Sequence, residues 1–558
     1  MKDKIASLIV NETKLDVVMV SSLLEVPPEM DLGDYAFPCF TLSKELKKAP
    51  VAIAADLAKS LNKKMPDGVS EIKAVGPYIN FFLDKVILAE RVLEDVKDEK
   101  WGKSTIKNKK TMIEFSQPNT HKAFHVGHIR GTSLGESIAR ISEFLENKTI
   151  RVNYSGDTGM HIAKWIWCYK NFHGGDELKE DESWIASIYV DAVKRLEKNP
   201  NAQEDVNKIN KHIESKDNKV INYLWEKTRA LSIESWERIY SELGTHFDKH
   251  YFESEVEIPG KEIALELLKK KIAKKSDGAV IMNFKKEDLG VFVLLRSDGT
   301  VLYSAKDLAL AELKNKEFKS DKYITTIGDE QKHHGNQVIK TLEKMKFSKS
   351  KDYVFLPFGM VRLPTGKMSS RTGDNILYSD FLKEIIEYTK ERIEERTEKI
   401  SKKELSQRAL NISIAAIKYS MLKQDPKKVI VFDKKESLRF EGDTGPYLLY
   451  SYARASSILK KAKSKAKLKI VNVEKSEASL VKKIDLFPSV VKKAYESLAP
   501  NLIANYAYEL CQTFNEFYHS CPVMGSDSEA FRLELVAAFR TALKKSLDLL
   551  GIETLEEM

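Results

Sequence analysis

Apolar residues follow different rhythms in different parts of the chain, and each rhythm predicts its own architecture. Near the start, Thr41–Leu61 has helical spacing broken by Pro50. Ile72–Val75, Gly76-Pro77 and Tyr78–Leu83 follow and read as strand, turn and strand. Residues 1–108 therefore read as a small α+β domain closed by the polar, lysine-rich stretch Gly102–Lys110.

From Thr111 the pattern changes. Thr111–Ser116 is a short buried strand, a loop with Pro118 and Gly127 follows, and a helix runs from about Ile129 to Leu145. Asn147–Asn153 leads into another strand, and Tyr323–Ile327 and Tyr353–Leu356 are further buried ones. Strand, loop and helix in alternation predict a parallel sheet with crossover helices, the architecture of a Rossmann-type domain. This domain is placed at 109–404. Asp181–Tyr240 is mostly helical and reads as an insertion around 175–250. Ala279–Met282 and Phe292–Leu295 read as strands, with Asp298-Gly299 as the turn from one strand to the next. From about Lys403 the apolar spacing is three and four, so 405–558 is predicted to be an all-α domain.

Composition narrows the class. Hydrophobic residues make up 42% and charged residues 31% of 558 residues, which fits a multidomain globular protein with a sizeable core. A formal net charge of +9 suits a polyanionic partner. The lysine-rich segment Lys460–Lys469 reads equally as a solvated linker or a phosphate contact. Cys39, Cys168, Cys511 and Cys521 form no C-x-x-C pair, so no zinc is expected from spacing, and such sparse cysteine suits a reducing, cytoplasmic compartment. No long uncharged apolar run is present, and no membrane association is expected.

Two segments carry chemistry. Ser116–Arg130 (SQPNTHKAFHVGHIR) lies between a strand and a helix start, where unpaired N–H groups and the helix dipole attract phosphate. His125 and His128 place two imidazoles there, and Gly127 lets a planar group lie against the backbone. Gly366–Gly373 (GKMSSRTG) reads as a glycine-bounded polar loop whose Lys367 and Arg371 can bring positive charge to phosphates.

His125-Val126-Gly127-His128 resembles the "HIGH" signature of class I aminoacyl-tRNA synthetases, and Lys367–Arg371 resembles their "KMSKS" signature. Glu114–Asn119 (EFSQPN), Asp298–Ala309, Gly328–His334 and Asp443–Ile458 narrow the resemblance to arginyl-tRNA synthetases, as do Gly33–Ala36 and Gly76–Phe81 in the first domain. That resemblance implies an arginine–tRNA ligase using magnesium-bound ATP, with tRNA(Arg) and L-arginine as partners. It implies ATP contacts at His125, Gly127, His128, Lys367, Met368, Ser369 and Ser370, with His125, His128 and Lys367 catalytic. It further implies a tRNA-contacting first domain, an anticodon-binding helical domain, and activation of arginine that depends on bound tRNA. A monomer is expected.

A guanidinium is planar, always charged and offers five donors, so its pocket needs carboxylates. Asp307 and Glu114 are the candidates, with Tyr303 one helical turn before Asp307. The resemblance points to the same residues and adds Asn119 and Gln331. Tyr447, Tyr452, Arg454, Asn515 and Tyr518 are candidates for stacking on or bonding to tRNA bases. One departure stands out: the family commonly has tryptophan and glutamine where this chain reads Asp157-Thr158-Gly159-Met160-His161. A cysteine-specific synthetase would show zinc-ligand cysteines, and a glutamate-specific one would present arginine to its substrate. A nucleotidyltransferase sharing the first signature would be much shorter, and a silent tRNA-binding scaffold would not need both signatures.

Overall fold

The computed structural model describes residues 1–27, 32–103, 109–364, 376–395, 400–462 and 468–558. These form two compact units. One comprises Met1–Trp101, Ile458–Leu486 and Gln512–Thr541; the other comprises Gly102–Ser457, Phe487–Cys511 and Ala542–Met558.

In the first unit the strands Tyr35–Pro38 (β1), Val69–Val75 (β2) and Tyr78–Leu83 (β3) form an antiparallel sheet in the order β1-β3-β2. Gly76 takes a φ of 57° in the two-residue turn between β2 and β3, as the strand–turn–strand reading requires. Pro50 does not interrupt one helix. It starts a new one, Pro50–Leu61, at the first-turn position where its missing N–H costs nothing. The helix Lys475–Asp485 belongs to this unit, tied by Arg91–Asp485 at 3.0 Å and Lys482–Asp34 at 2.5 Å.

The second unit is built on five parallel strands: Lys110–Glu114 (β4), Lys148–Ser155 (β5), Lys249–Phe252 (β6), Lys322–Gly328 (β7) and Tyr353–Phe358 (β8). Their order is β8-β7-β4-β5-β6, with every neighbouring pair parallel. The chain therefore builds outward from β4 through β5 to β6, then returns to the other side of β4. In open sheets of this kind the crevice at that reversal, beyond the carboxyl ends of the strands, is where ligands bind. Here it lies between β4 and β7, the strands that lead into Ser116–Arg130 and Gly328–His334.

Three helices, Glu182–Lys198, Gln203–Ser215 and Lys219–Glu242, fill the insertion between β5 and β6. Two expectations change. Ala279–Phe284 and Gly290–Leu295 pair antiparallel in a separate three-stranded sheet, and Asp298-Gly299 turns the chain into the helix Tyr303–Phe318, with a single bridge between Leu295 and Val301. The C-terminal region also contains one short strand, Ile430–Val431, pairing with Val361–Arg362.

The helix Val126–Phe144 crosses the sheet at close range. A Cβ on Gly131 would lie 3.1 Å from the Phe358 ring, and one on Gly135 only 2.1 Å from the ring of Phe115. Glycines at this four-residue spacing share one face, so that face can approach the aromatic rings at the strand ends. Beneath the same helix, fully buried Arg151 on β5 pairs with Glu136 at 2.8 Å and Glu143 at 2.5 Å. Thr245 donates to Glu136 at 2.7 Å, so the buried charges are paired and hydrogen-bonded.

Gly135→Ala is expected to destabilise the protein by about 1–3 kcal/mol through overpacking against Phe115. Urea denaturation measures this, and an unchanged midpoint would show that the helix does not need the gap.

Candidate active site

Beyond β4 the backbone takes unusual turns. Ser116, Gln117 and His121 have φ of 77°, 52° and 61°, left-handed values that side-chain-bearing residues seldom adopt. Surrounding contacts hold the loop there. Ser116 Oγ lies 3.0 Å from the Tyr240 hydroxyl and accepts from Thr132 at 2.9 Å. The His121 ring meets Thr228 at 2.7 Å, and its backbone N–H donates to Ser232 at 3.1 Å. Tyr240, Thr228 and Ser232 all come from the last insertion helix, so the insertion shapes the loop. Asn119 packs over Gly156, where a Cβ would stand 2.4 Å from its Oδ1.

The helix begins at Val126, three residues earlier than its apolar spacing suggests, with His125 as its N-terminal flanking residue. The His125 backbone N–H donates to His128 Nδ1 at 3.1 Å. The two rings stack at 3.9 Å with 21° between their planes. A Cβ on Gly127 would fall 2.9 Å from His125 Cε1, which explains the glycine in the signature. Burial pulls the His125 imidazole down to about 4, and burial together with its neighbour holds His128 well below the ordinary range. Both rings are therefore neutral near pH 7. Because His128 Nδ1 accepts, its proton sits on Nε2, which is then a donor. His125 Nδ1 is buried without a protein partner.

Lys367, Met368, Ser369 and Ser370 of the second signature lie outside the described residues, as does Arg371. The chain that follows them is held against the first signature. Leu377 forms an antiparallel bridge with His125, and the Tyr378 N–H donates to the Phe124 carbonyl at 2.9 Å.

Across the crevice, Tyr303 and Asp307 share one face of their helix. Asp307 Oδ2 lies 2.5 Å from His334 Nε2, and the His334 ring packs 4.6 Å from that of Tyr303. Glu114 is only 4% exposed and pairs with the buried Lys314, while Gln117 donates to its other oxygen at 3.0 Å. Glu114, a candidate guanidinium partner from sequence, is thus already neutralised within the protein. Gln331 is exposed at the turn after β7, and Tyr303 is exposed at the head of its helix.

Several residues around the site had no role assigned from sequence, His334, His121 and Tyr154 among them, while Asp157 and His161 stood out only as a departure from the family. Burial brings His121 down to about 3 and holds His161 well below its usual range, and His161 Nε2 has no partner. Tyr154 also buries an unpartnered hydroxyl, raised far above its usual range by burial and then by Asp307 and neighbouring carboxylates. Asp157 accepts from Ser254 at 2.9 and 2.6 Å and forms an ion pair with Arg229 at 2.9 Å, so it braces the loop. Orphaned buried polar atoms were the available signal, and only coordinates reveal them.

The candidate RNA contacts divide between the units. Tyr447, Tyr452 and Arg454 lie in the second, Asn515 and Tyr518 in the first. Tyr452 is 3% exposed with its hydroxyl 3.2 Å from Glu556, so its ring is not presented for stacking. Arg454 donates to Tyr450 at 3.0 Å, Tyr447 packs edge-on against Tyr508, and Tyr518 is exposed.

Residues 91–433 match the family model described as tRNA synthetases class I (R), catalytic domain. Residues 1–83 match the arginyl tRNA synthetase N terminal domain, and 448–558 the DALR anticodon binding domain. The chain belongs to the arginyl-tRNA synthetase family. An arginine–tRNA ligase of Clostridium perfringens is 36% identical, with all of both chains covered. One from Treponema denticola is also 36% identical, covering 96% of this chain and 94% of the relative. The Thermus thermophilus arginyl-tRNA synthetase superposes with a TM-score of 0.85 at 26% identity, covering both chains completely. No helix among the described residues is long and apolar enough to cross a membrane.

The neutral imidazoles set a pH dependence for this synthetase. The unfolded chain takes up protons below about 6.5, while folded His125 and His121 refuse them until about 4 and 3. Stability therefore falls as pH drops through that window, by up to about 1.4 kcal/mol per pH unit for each histidine. His125→Asn is expected to make the decline shallower by one histidine. Urea titrations at several pH values check this, and identical slopes in the two proteins would refute it.

Proposed function

We propose that the crevice between β4 and β7 is where this arginine–tRNA ligase activates its amino acid. The reading rests on the bridge from Leu377 to His125, because it holds the described chain six residues after Arg371 beside the imidazoles of the first signature. ATP enters as its magnesium complex, and its phosphates meet the helix start, His128 Nε2–H and the His125 ring. Lys367 adds positive charge to the phosphates. The arginine carboxylate attacks the α-phosphorus, the bond to the bridging oxygen breaks, and pyrophosphate leaves. Arginyl-adenylate remains. A ribose hydroxyl of the tRNA's terminal adenosine, the 2′ in class I enzymes, then attacks the acyl carbon and AMP departs. No protein atom bonds covalently to substrate, so positioning and charge stabilisation supply the catalysis.

Asp307 is the carboxylate that receives the guanidinium. Its present partner His334 can give way because an imidazole is a weaker partner than a bidentate guanidinium. Glu114, held by Lys314, contributes shape to the pocket wall. Asn119 and Gln331 serve the α-amino and carboxylate end of the substrate. Within the helical region, Tyr447, Arg454, Asn515 and Tyr518 are the candidate tRNA contacts.

Charging total tRNA with each of the twenty amino acids separately should give product with arginine alone. Charging with any other amino acid in its place would sink the assignment. ATP–pyrophosphate exchange should require added tRNA, and full exchange without it would exclude that dependence. Asp307→Asn should raise the KM for arginine about 100-fold, corresponding to ~3 kcal/mol, with the KM for ATP little changed. Equal effects on both constants would point to collapse of the crevice instead.

A further inference from the structure

Away from the crevice, the helix Met160–Phe172 and the insertion helix Glu182–Lys198 meet at a group with mixed donor chemistry. Buried Cys168 comes from the first, His173 follows its end, and Asp191 comes from the second. Asp191 Oδ2 lies 3.4 Å from Cys168 Sγ and 3.0 Å from His173 Nε2, and all three ligand atoms fall within 4.8 Å of one another.

We infer that Cys168, His173 and Asp191 form a binding site for a borderline-soft divalent cation of the zinc type. Zinc binds nitrogen and oxygen at about 2.0–2.1 Å and sulfur at about 2.3 Å. The edges of such a tetrahedron are therefore about 3.3 Å between nitrogen and oxygen and about 3.6 Å between sulfur and oxygen. The two observed separations differ from these by a few tenths of an ångström, and the sulfur and nitrogen lie within 4.8 Å of each other, so side-chain shifts that draw the three donors together would admit the ion. A hydrogen bond explains each contact singly. It does not explain why a thiol and an imidazole converge on one carboxylate oxygen.

The surroundings support the assignment. His173 Nδ1 lies 3.0 Å from Asp176 Oδ2, so that carboxylate holds the Nδ1–H, and the Nε2–H now shared with Asp191 is the proton an incoming ion would displace. Tyr169 donates to the Asp176 carbonyl at 3.0 Å and steadies the connecting turn. Arg195 donates to Asp191 Oδ2 at 2.7 Å while its guanidinium lies 3.8 Å over the Phe172 ring. Metal-ligating carboxylates commonly keep such an outer hydrogen bond. His173 and Asp191 are 27% and 30% exposed, so the ion has a path in and water can complete the fourth position. Thiolate with imidazole selects zinc-like ions over magnesium or calcium, which prefer oxygen alone.

The other mixed group, Glu474, Glu477 and Cys521, offers no imidazole, and Arg532 pairs with both of its carboxylates, at 2.6 and 2.7 Å. The Cys168 site would clamp the helix that follows β5 to the first helix of the insertion. This role is separate from adenylate chemistry and from the crevice.

The test uses the full chain stripped with a chelator and titrated with cobalt(II), followed by displacement with zinc. One equivalent should bind and produce the near-ultraviolet charge-transfer band of a thiolate–cobalt bond. The band should vanish in Cys168→Ser, persist in Cys521→Ser, and need 10- to 100-fold more metal in Asp176→Asn. His173→Gln, on a partly exposed residue, gives the same test should Cys168→Ser fail to fold; circular dichroism decides which applies. Absence of the band in the unmodified protein, or its survival in both Cys168→Ser and His173→Gln, would overturn the proposal and leave an ion-pair network only.

Discussion

The close seating of one helix on the parallel sheet is the constraint from which the rest of the site follows. Gly131 and Gly135 remove the side chains that would hold Val126–Phe144 away from Phe358 and Phe115. With the gap closed, the amino end of that helix lies at the point where strand order reverses. Unpaired N–H groups, the helix dipole and two imidazoles are thereby concentrated in one place. The buried Arg151–Glu136 pair, joined by the exposed Glu143, ties the same helix to β5. Loss of Arg151 or Glu136 leaves a buried charge unpaired or under-paired, so position and stability are linked.

Around that helix end the protein keeps its polar groups poised. His125, His161 and Tyr154 each carry a buried atom with no partner. Such atoms cost free energy in the folded state, and a ligand that satisfies them recovers it. The left-handed backbone at Ser116, Gln117 and His121 is a further cost borne at the same place. A synthetase that performs no covalent chemistry of its own benefits from such a site. Its groups do not have to reorganise when charge moves through the α-phosphate.

Two carboxylates of similar sequence appearance, both proposed for the arginine side, stand in different surroundings. Asp307 stands one turn along an exposed helix start, facing an imidazole that can yield. Glu114 ends a buried strand and faces Lys314 seven residues further along the helix that carries Asp307. Lys314 was silent as a motif because nothing local marks a lysine that will be buried. Its role exists only because the helix lies across β4.

Local pattern was enough for the strands Lys110–Glu114, Lys148–Ser155, Lys322–Gly328 and Tyr353–Phe358 and for the helical insertion, since apolar period and turn chemistry act over a few residues. It also marked Tyr303 and Asp307 as neighbours, because a helix places positions four apart on one face. Pairing across distance was beyond its reach. Strand order, the antiparallel sheet of Ala279–Phe284 and Gly290–Leu295, the burial of Tyr452, the His334–Asp307 contact and the convergence of Cys168 with Asp191 all depend on which surfaces meet. Those meetings are settled by burial of area and satisfaction of polar groups over the whole chain, which no short window of residues contains.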